Sequence, residues 1–162
     1  INNDKISVQG TVEVDGKVNI YVNDEKITDT ISENKVFMAE IDLPAYENII
    51  TATIEIDGKE TEPSTSVKVI RDKTVPVIEI TKPSDGEKVN SEAVWVEGKI
   101  IEDNFDKLFI NNEETGVDEA GNFSERIIVF EGENTIVIRA TDLAGNEKIE
   151  KIKVTVKLKG AD

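Results

Sequence analysis

The sequence predicts an all-β protein folded as two tandem β-sandwiches joined by a short linker, and three observations carry that prediction. The first is the apolar composition, in which 22 Ile and 18 Val stand against 4 Leu and one Met. β-branched side chains pack well on a pleated surface and lose χ1 freedom in a helix, so this imbalance favours strands over a helical bundle. The second is that apolar residues alternate with polar ones at a period of two, while no window carries a sustained 3.6-residue apolar stripe. The third is internal similarity at a spacing of 86–88 residues.

The similarity runs nearly the length of the chain. Ile6-Ser7-Val8-Gln9-Gly10 matches Val94-Trp95-Val96-Glu97-Gly98, and Asn19-Ile20-Tyr21-Val22-Asn23 matches Lys107-Leu108-Phe109-Ile110-Asn111, both 88 positions on. The offset then becomes 86, pairing Phe37 and Ile41 with Phe123 and Ile127, and Glu47-Asn48-Ile49-Ile50 with Glu133-Asn134-Thr135-Ile136. At the end an offset of 87 aligns Val67 and Val69 with Val154 and Val156. Loop insertions and deletions produce such small changes of offset. The expected domains are residues 1–72 and 73–162, with the second copy opening near Pro76 after the linker around Arg71–Val75.

Alternation places strands near residues 6–14, 17–23, 35–43, 47–56 and 64–71 of the first copy. In the second copy they fall near 76–81, 92–101, 106–111, 122–130, 134–141 and 147–158. Between them stand Asp15-Gly16, Asn23-Asp24, Asp57-Gly58, Asp85-Gly86, Gly116, Gly132 and Gly145-Asn146, residue types that tolerate tight turns. The second copy has a leading strand, Val77-Ile78-Glu79-Ile80, followed by the turn Lys82-Pro83-Ser84-Asp85-Gly86. The first has no equivalent, so its opening strand is expected to be missing or truncated and this half to be the less stable one. The abrupt start at Ile1, with no initiator Met and no signal peptide, suggests a fragment of a longer protein.

Composition excludes several functions. With no His and no Cys there is no Ser-His-Asp triad, thiol nucleophile, ordinary zinc cage or haem ligation. A net charge of −15 repels phosphate backbones and anionic lipid, which argues against nucleic-acid partners. The longest aliphatic and aromatic run, Ile127-Ile128-Val129-Phe130, is too short for membrane insertion. The acid excess is shared, with a net charge of −8 through Asp72 and −7 beyond it, so it belongs to the repeated surface. Acidic surfaces of this kind keep β-rich proteins soluble and guard strand edges.

Three stretches of the second copy carry a family resemblance. They are Pro76-Val77-Ile78-Glu79-Ile80-Thr81-Lys82-Pro83-Ser84-Asp85-Gly86, Val94-Trp95-Val96-Glu97-Gly98, and the run from Glu131-Gly132-Glu133-Asn134 through Ala140-Thr141-Asp142-Leu143-Ala144-Gly145-Asn146. The sequence resembles tandem bacterial Ig-like domains of the kind related to domain B of glucodextranase. That resemblance implies two Ig-like sandwiches and a non-catalytic module of a secreted or wall-attached bacterial enzyme, such as a glycoside hydrolase or subtilisin-like protease, or of a surface adhesin. The first copy keeps Glu47-Asn48 but has Glu55-Ile56-Asp57-Gly58 where the Asp-x-Ala-Gly-Asn hairpin belongs.

Candidate sites are few. Trp95, Tyr21 and Phe109 fall at outward positions of their strands, because Val94, Val96, Val18, Ile20 and Val22 take the inward ones. Outward aromatics can stack on sugar rings, meet a neighbouring domain, or cover a long basic stem such as Arg139. Asp118-Glu119-Ala120-Gly121-Asn122 and Asp142-Leu143-Ala144-Gly145-Asn146 repeat one pentapeptide, whose oxygens suit either calcium or a capped turn, the turn being preferred. Asp72 with Asp103 and Asp106 (in Glu102-Asp103-Asn104 and after it) forms a second, sparse calcium set. Asn122-Phe123-Ser124 matches a glycosylation sequon that also belongs to a turn.

The expected function is therefore an extracellular, secreted or surface-attached spacer and interaction module without a cofactor. In it the linker's Val75-Pro76 stiffens the joint, and its partners are neighbouring domains of the parent chain. The alternative is an accessory module binding cell-wall or substrate polysaccharide, or a surface protein, through Trp95, Tyr21 or Phe109.

Overall fold

The computed structural model describes residues 1–158. It is all-β, as the composition predicts, and divides into two compact units, Ile1–Lys73 and a second beginning at Thr74. The end of the expected second domain, residues 159–162, lies outside the described residues.

Unit 1 contains β1 (Lys5–Thr11), β2 (Lys17–Val22), β3 (Glu25–Ile31), β4 (Val36–Asp42), β5 (Glu47–Ile56), β6 (Lys59–Glu60) and β7 (Val67–Ile70). One sheet is the antiparallel pair β1-β4; the other has the order β3-β2-β5-β6, with β7 also pairing β5. Asn23-Asp24, Asn34-Lys35 and Asp57-Gly58 take positive φ at both positions. This is the type I′ geometry whose twist matches a hairpin. The two sheets close on Val18, Ile20 and Val22 of β2, Phe37 and Ile41 of β4, Leu43, and Ile50 of β5.

Unit 2 contains β8 (Val77–Lys82), β9 (Glu87–Val89), β10 (Ala93–Ile101), β11 (Phe105–Ile110), β12 (Glu113–Thr115), β13 (Asn122–Ile128), β14 (Gly132–Asp142) and β15 (Glu147–Val156). Its sheets are β13-β10-β8 and β12-β11-β14-β15-β9, with β9 parallel to β15. The core includes Ile78, Val96, Ile100, Leu108, Phe123, Ile136, Ile138 and Val154.

The repeat is visible in individual hydrogen bonds. Val12 N–H donates to Lys35 C=O (2.9 Å) as Ile100 N–H donates to Gly121 C=O (2.8 Å). Ile49 N–H donates to Asn23 Oδ1 (2.8 Å) as Val137 N–H donates to Asn111 Oδ1 (2.9 Å). At the corner before the long strand, Asn48 bonds both backbone groups of Ala45, and Asn134 bonds both of Phe130. A Gly–Phe pair also recurs: Gly10 faces Phe37 across β1-β4, and Gly98 faces Phe123 across β10-β13.

Strand register corrects two of the sequence alignments. Val22 faces Ile50 and Ile110 faces Ile138, so Ile50 corresponds to Ile138 rather than Ile136. On that register Val69, two residues further along the pairing with β5, corresponds to Ile152, which faces Ile136, rather than to Val156. The corner in unit 2 is longer, which the matching Glu-Asn dipeptides conceal.

The alternation does not mark β3, β6, β9 and β12, which are polar or only two to three residues long. The turn residues Gly16 and Gly116 are not in the left-handed region. The expected strand at 64–71 is confined to β7 (Val67–Ile70), although the Ser64 N–H still donates to Ala52 C=O of β5 at 2.8 Å.

The units differ most beside β1 and β10. In unit 2, β8 pairs β10 with a register irregularity between Glu97 and Gly98, and Ile78 enters the core. Among the described residues unit 1 has no counterpart of β8, and β1 ends its sheet. Burial follows: Val96, Ile100 and Ala140 are buried, whereas Val8, Val12 and Ala52 are only half-buried.

Candidate functional site

The three aromatic candidates do not converge. Tyr21 lies in unit 1; in unit 2, Trp95 sits on β10 and Phe109 on β11, which belong to different sheets. The Arg139 guanidinium covers Phe109 at 4.1 Å from the ring centroid, a cation–π contact that accounts for the aromatic. Tyr21 is tied into a polar cluster, its hydroxyl donating to Glu60 Oε2 at 2.8 Å. Glu60 also accepts from Thr53 Oγ1 (2.8 Å) and Asn19 Nδ2 (2.9 Å). The hydrogen bond from Tyr21, then that from Thr53, holds the Glu60 carboxyl below its ordinary range, and the same bond raises the Tyr21 hydroxyl.

Trp95 is different, with half its surface exposed (52%). It borders an open groove of 540 Å³ in unit 2, formed by the end of β8, β9, the Asn90-Ser91 connection, the start of β10, and Lys157 just past β15. The groove is locally built. Glu87 Oε2 accepts the Ser84 N–H (2.8 Å), Ser91 Oγ accepts the Ala93 N–H (3.1 Å), and Lys157 N–H donates to Val89 C=O (2.9 Å). Three ammonium groups line it, those of Lys82, Lys88 and Lys157. Lys82 is 3.1 Å from the Glu97 carboxylate. In a chain of net charge −15 this is a local basic surface. An indole beside amide, hydroxyl and ammonium donors can stack on an apolar sugar face and bond its hydroxyls. Apart from Trp95, the groove residues read in sequence only as turn or core positions, as Lys82-Pro83 and Val94 do, and the parallel β9-β15 pairing brings Lys88 and Val89 beside Lys157.

The repeated pentapeptides are one turn used twice. Asp118 Oδ1 accepts the N–H groups of Ala120 (3.0 Å) and Asn122 (2.7 Å), while Asn122 Nδ2 donates to Oδ2 (3.0 Å). These donors, the Asn122 amide foremost, keep the Asp118 carboxyl below its usual range. Asp142 accepts the Asn146 N–H and Nδ2, both at 2.8 Å, in the same way. Gly121 and Gly145 supply the positive φ that the turn requires. Of the sparse acidic set, Asp103 lies in the turn between β10 and β11 and Asp106 in β11, both exposed. Asp72 belongs to unit 1, where its N–H donates to Ile1 C=O at 2.8 Å.

Small sandwiches filled by their own aliphatic side chains, with polar groups committed to turns and one aromatic groove at the surface, define a β-sandwich module of the immunoglobulin and fibronectin type III kind. The chain belongs to the family of glucodextranase domain B, whose family model matches residues 76–158. It is 33% identical over 156 residues to Bacillopeptidase F of Bacillus subtilis (strain 168), a match covering 96% of this chain and 11% of that protein. The chain thus corresponds to a small part of a much longer relative. Its fold is similar to that of the fibronectin(III)-like modules of Clostridium thermocellum CbhA, with a TM-score of 0.57 and 19% identity over 96% of this chain and 86% of that one. No helix of the described residues is long and apolar enough to cross a membrane.

Proposed function

We propose that this chain is a non-catalytic, extracellular spacer and interaction module of a larger bacterial secreted enzyme or cell-surface protein. The observation that carries this reading is the match of nearly the whole chain to about 11% of a protein named as a peptidase. A segment of that kind accompanies a catalytic domain rather than being one. The chemistry of the surface agrees: the carboxylates of the repeated turns and of the Tyr21 cluster are engaged by amides and hydroxyls, and no metal or cofactor enters the reading.

The exposed Trp95 groove favours a second reading, an accessory module that holds polysaccharide. One experiment addresses both. Incubated with insoluble polysaccharides and with casein, the chain should release neither reducing sugar nor peptides; turnover above background would overturn the non-catalytic reading. Retention on a polysaccharide that falls at least tenfold in Trp95→Ala supports the accessory-module reading. No retention, or retention unchanged by the substitution, removes Trp95 from the account.

A further inference from the structure

Trp95 stands between two sources of positive charge. On one side is the groove, whose 540 Å³ falls within the range of about 300–1,000 Å³ found for ligand sites. Among the described residues its lining carries the ammonium groups of Lys82, Lys88 and Lys157 and a single carboxylate, that of Glu87. Glu87 Oε2 is already engaged by the Ser84 N–H at 2.8 Å. On the other side is Arg126, directly opposite Trp95 in the β10-β13 register and therefore on the same face of the sheet. Lys82 is held by Glu97, but Lys88, Lys157 and Arg126 make no ion pair among the described residues. In a chain with 34 acids and 19 bases, this gathering of cations around the single indole inverts the balance of the whole surface. The backbone adds a donor. Ile100 N–H points to Gly121, just before β13, and ladder bonds alternate. The Trp95 N–H therefore points away from β13, to the side where β8 has ended at Lys82.

We propose that this surface binds an anionic polysaccharide whose sugar rings carry carboxylates, a polyuronate. The indole stacks on the apolar face of one ring. Arg126 takes a carboxylate on one side of that ring through its planar fork, and the groove lysines take one on the other side as point charges. The indole needs rings, which sets a polyuronate above a phosphate-linked polyol. The unpaired cations need anions, which sets it above a neutral glycan. The chain's net charge of −15 does not oppose this. At physiological salt the Debye length is about 8 Å, so a bound carboxylate feels the cations beside it and little of the distant acids. This inference rests on the accessory-module reading of the Trp95 groove and names the charge of the polysaccharide held there.

Trp95 is the only Trp of the 162-residue chain, so its fluorescence reports the site directly. The chain is titrated with polygalacturonate and with two comparison polymers. Fully methyl-esterified polygalacturonate keeps the rings and removes the charge; dextran sulfate keeps the charge and removes the carboxylates. The expected result is a saturable change with polygalacturonate and at least tenfold weaker binding of the other two. Lys88→Gln combined with Arg126→Gln, both at exposed positions, should weaken polygalacturonate binding at least tenfold and leave that of the methyl ester unchanged. No saturable response to polygalacturonate, equal affinity for the methyl ester or for dextran sulfate, or a response indifferent to the double substitution would each overturn the proposal. A neutral glycan retained through Trp95 while polygalacturonate is not also overturns it, and leaves the accessory-module reading standing. Retention of no polysaccharide at all removes both.

Discussion

Gly98→Ala should destabilise unit 2 by about 3 kcal/mol, near the upper end of what overpacking costs. A Cβ built on Gly98 lies 2.1 Å from the Glu79 carbonyl oxygen of β8 and 2.6 Å from Cζ of Phe123. The carbonyl is backbone held in a sheet and cannot swing aside, so β8 must lift away from β10 and take Ile78 out of the core. The same change in unit 1 meets only the Phe37 ring, at 2.5 Å. With no strand on the outer side of β1 among the described residues, that ring can shift toward the groove it lines, and Gly10→Ala should cost about 1 kcal/mol. The chain's single Trp lies in unit 2, so urea unfolding followed by Trp95 fluorescence reports Gly98→Ala directly. Gly10→Ala is followed by amide signals of unit 1. Equal effects of the two substitutions would contradict the role assigned to β8.

Asn48→Ala should destabilise unit 1 by about 2 kcal/mol, because it removes a fully buried side chain whose bonds satisfy two half-buried backbone groups. Asn48 is fully buried, its Nδ2 donating to Ala45 C=O (2.7 Å) and its Oδ1 accepting the Ala45 N–H (3.1 Å). The equivalent Asn134 makes the same bonds to Phe130, but at an exposed corner where water can replace them. Asn134→Ala should therefore cost about 1 kcal/mol. Unit 1 should also start from less, because at Ile1–Lys73 it is a small sandwich, and domains of that size bury a smaller share of their surface. Amide signals of unit 1 should broaden or collapse in Asn48→Ala at a urea concentration where those of unit 2 are unchanged. A loss in Asn134→Ala as large as in Asn48→Ala would mean that the corner bond matters for a reason other than burial.

Much of the fold was legible because period-two alternation is a direct consequence of one buried and one wet sheet face. Val18, Ile20 and Val22 point inward and Trp95 outward as that rule requires. The Gly-Phe pairs and Asn corners were present as matched letters, although their reason, a ring over a bare backbone and an amide closing a bend, is three-dimensional. What escaped has physical causes. β3 is an edge strand carrying Lys26, Thr28, Asp29 and Thr30, so it lacks the apolar half of the pattern. β9 is three residues long and exists by pairing with a strand more than sixty residues later. The Trp95 groove depends on that pairing, so of its residues only the aromatic could be named in advance as a candidate contact.

The two units are one repeat, and among the described residues they differ by the strand β8 beside β10. Amide hydrogen exchange measures that difference most directly. Thr11 and Lys99 are equivalent outward positions, Lys99 paired to Glu79 of β8 and Thr11 facing an open edge. The Thr11 amide should exchange at nearly the rate of an unstructured peptide while Val12, bonded to Lys35, is protected, and Lys99 and Ile100 should both be protected. Strong protection of Thr11 in the chain alone, matching that of Lys99, would contradict it.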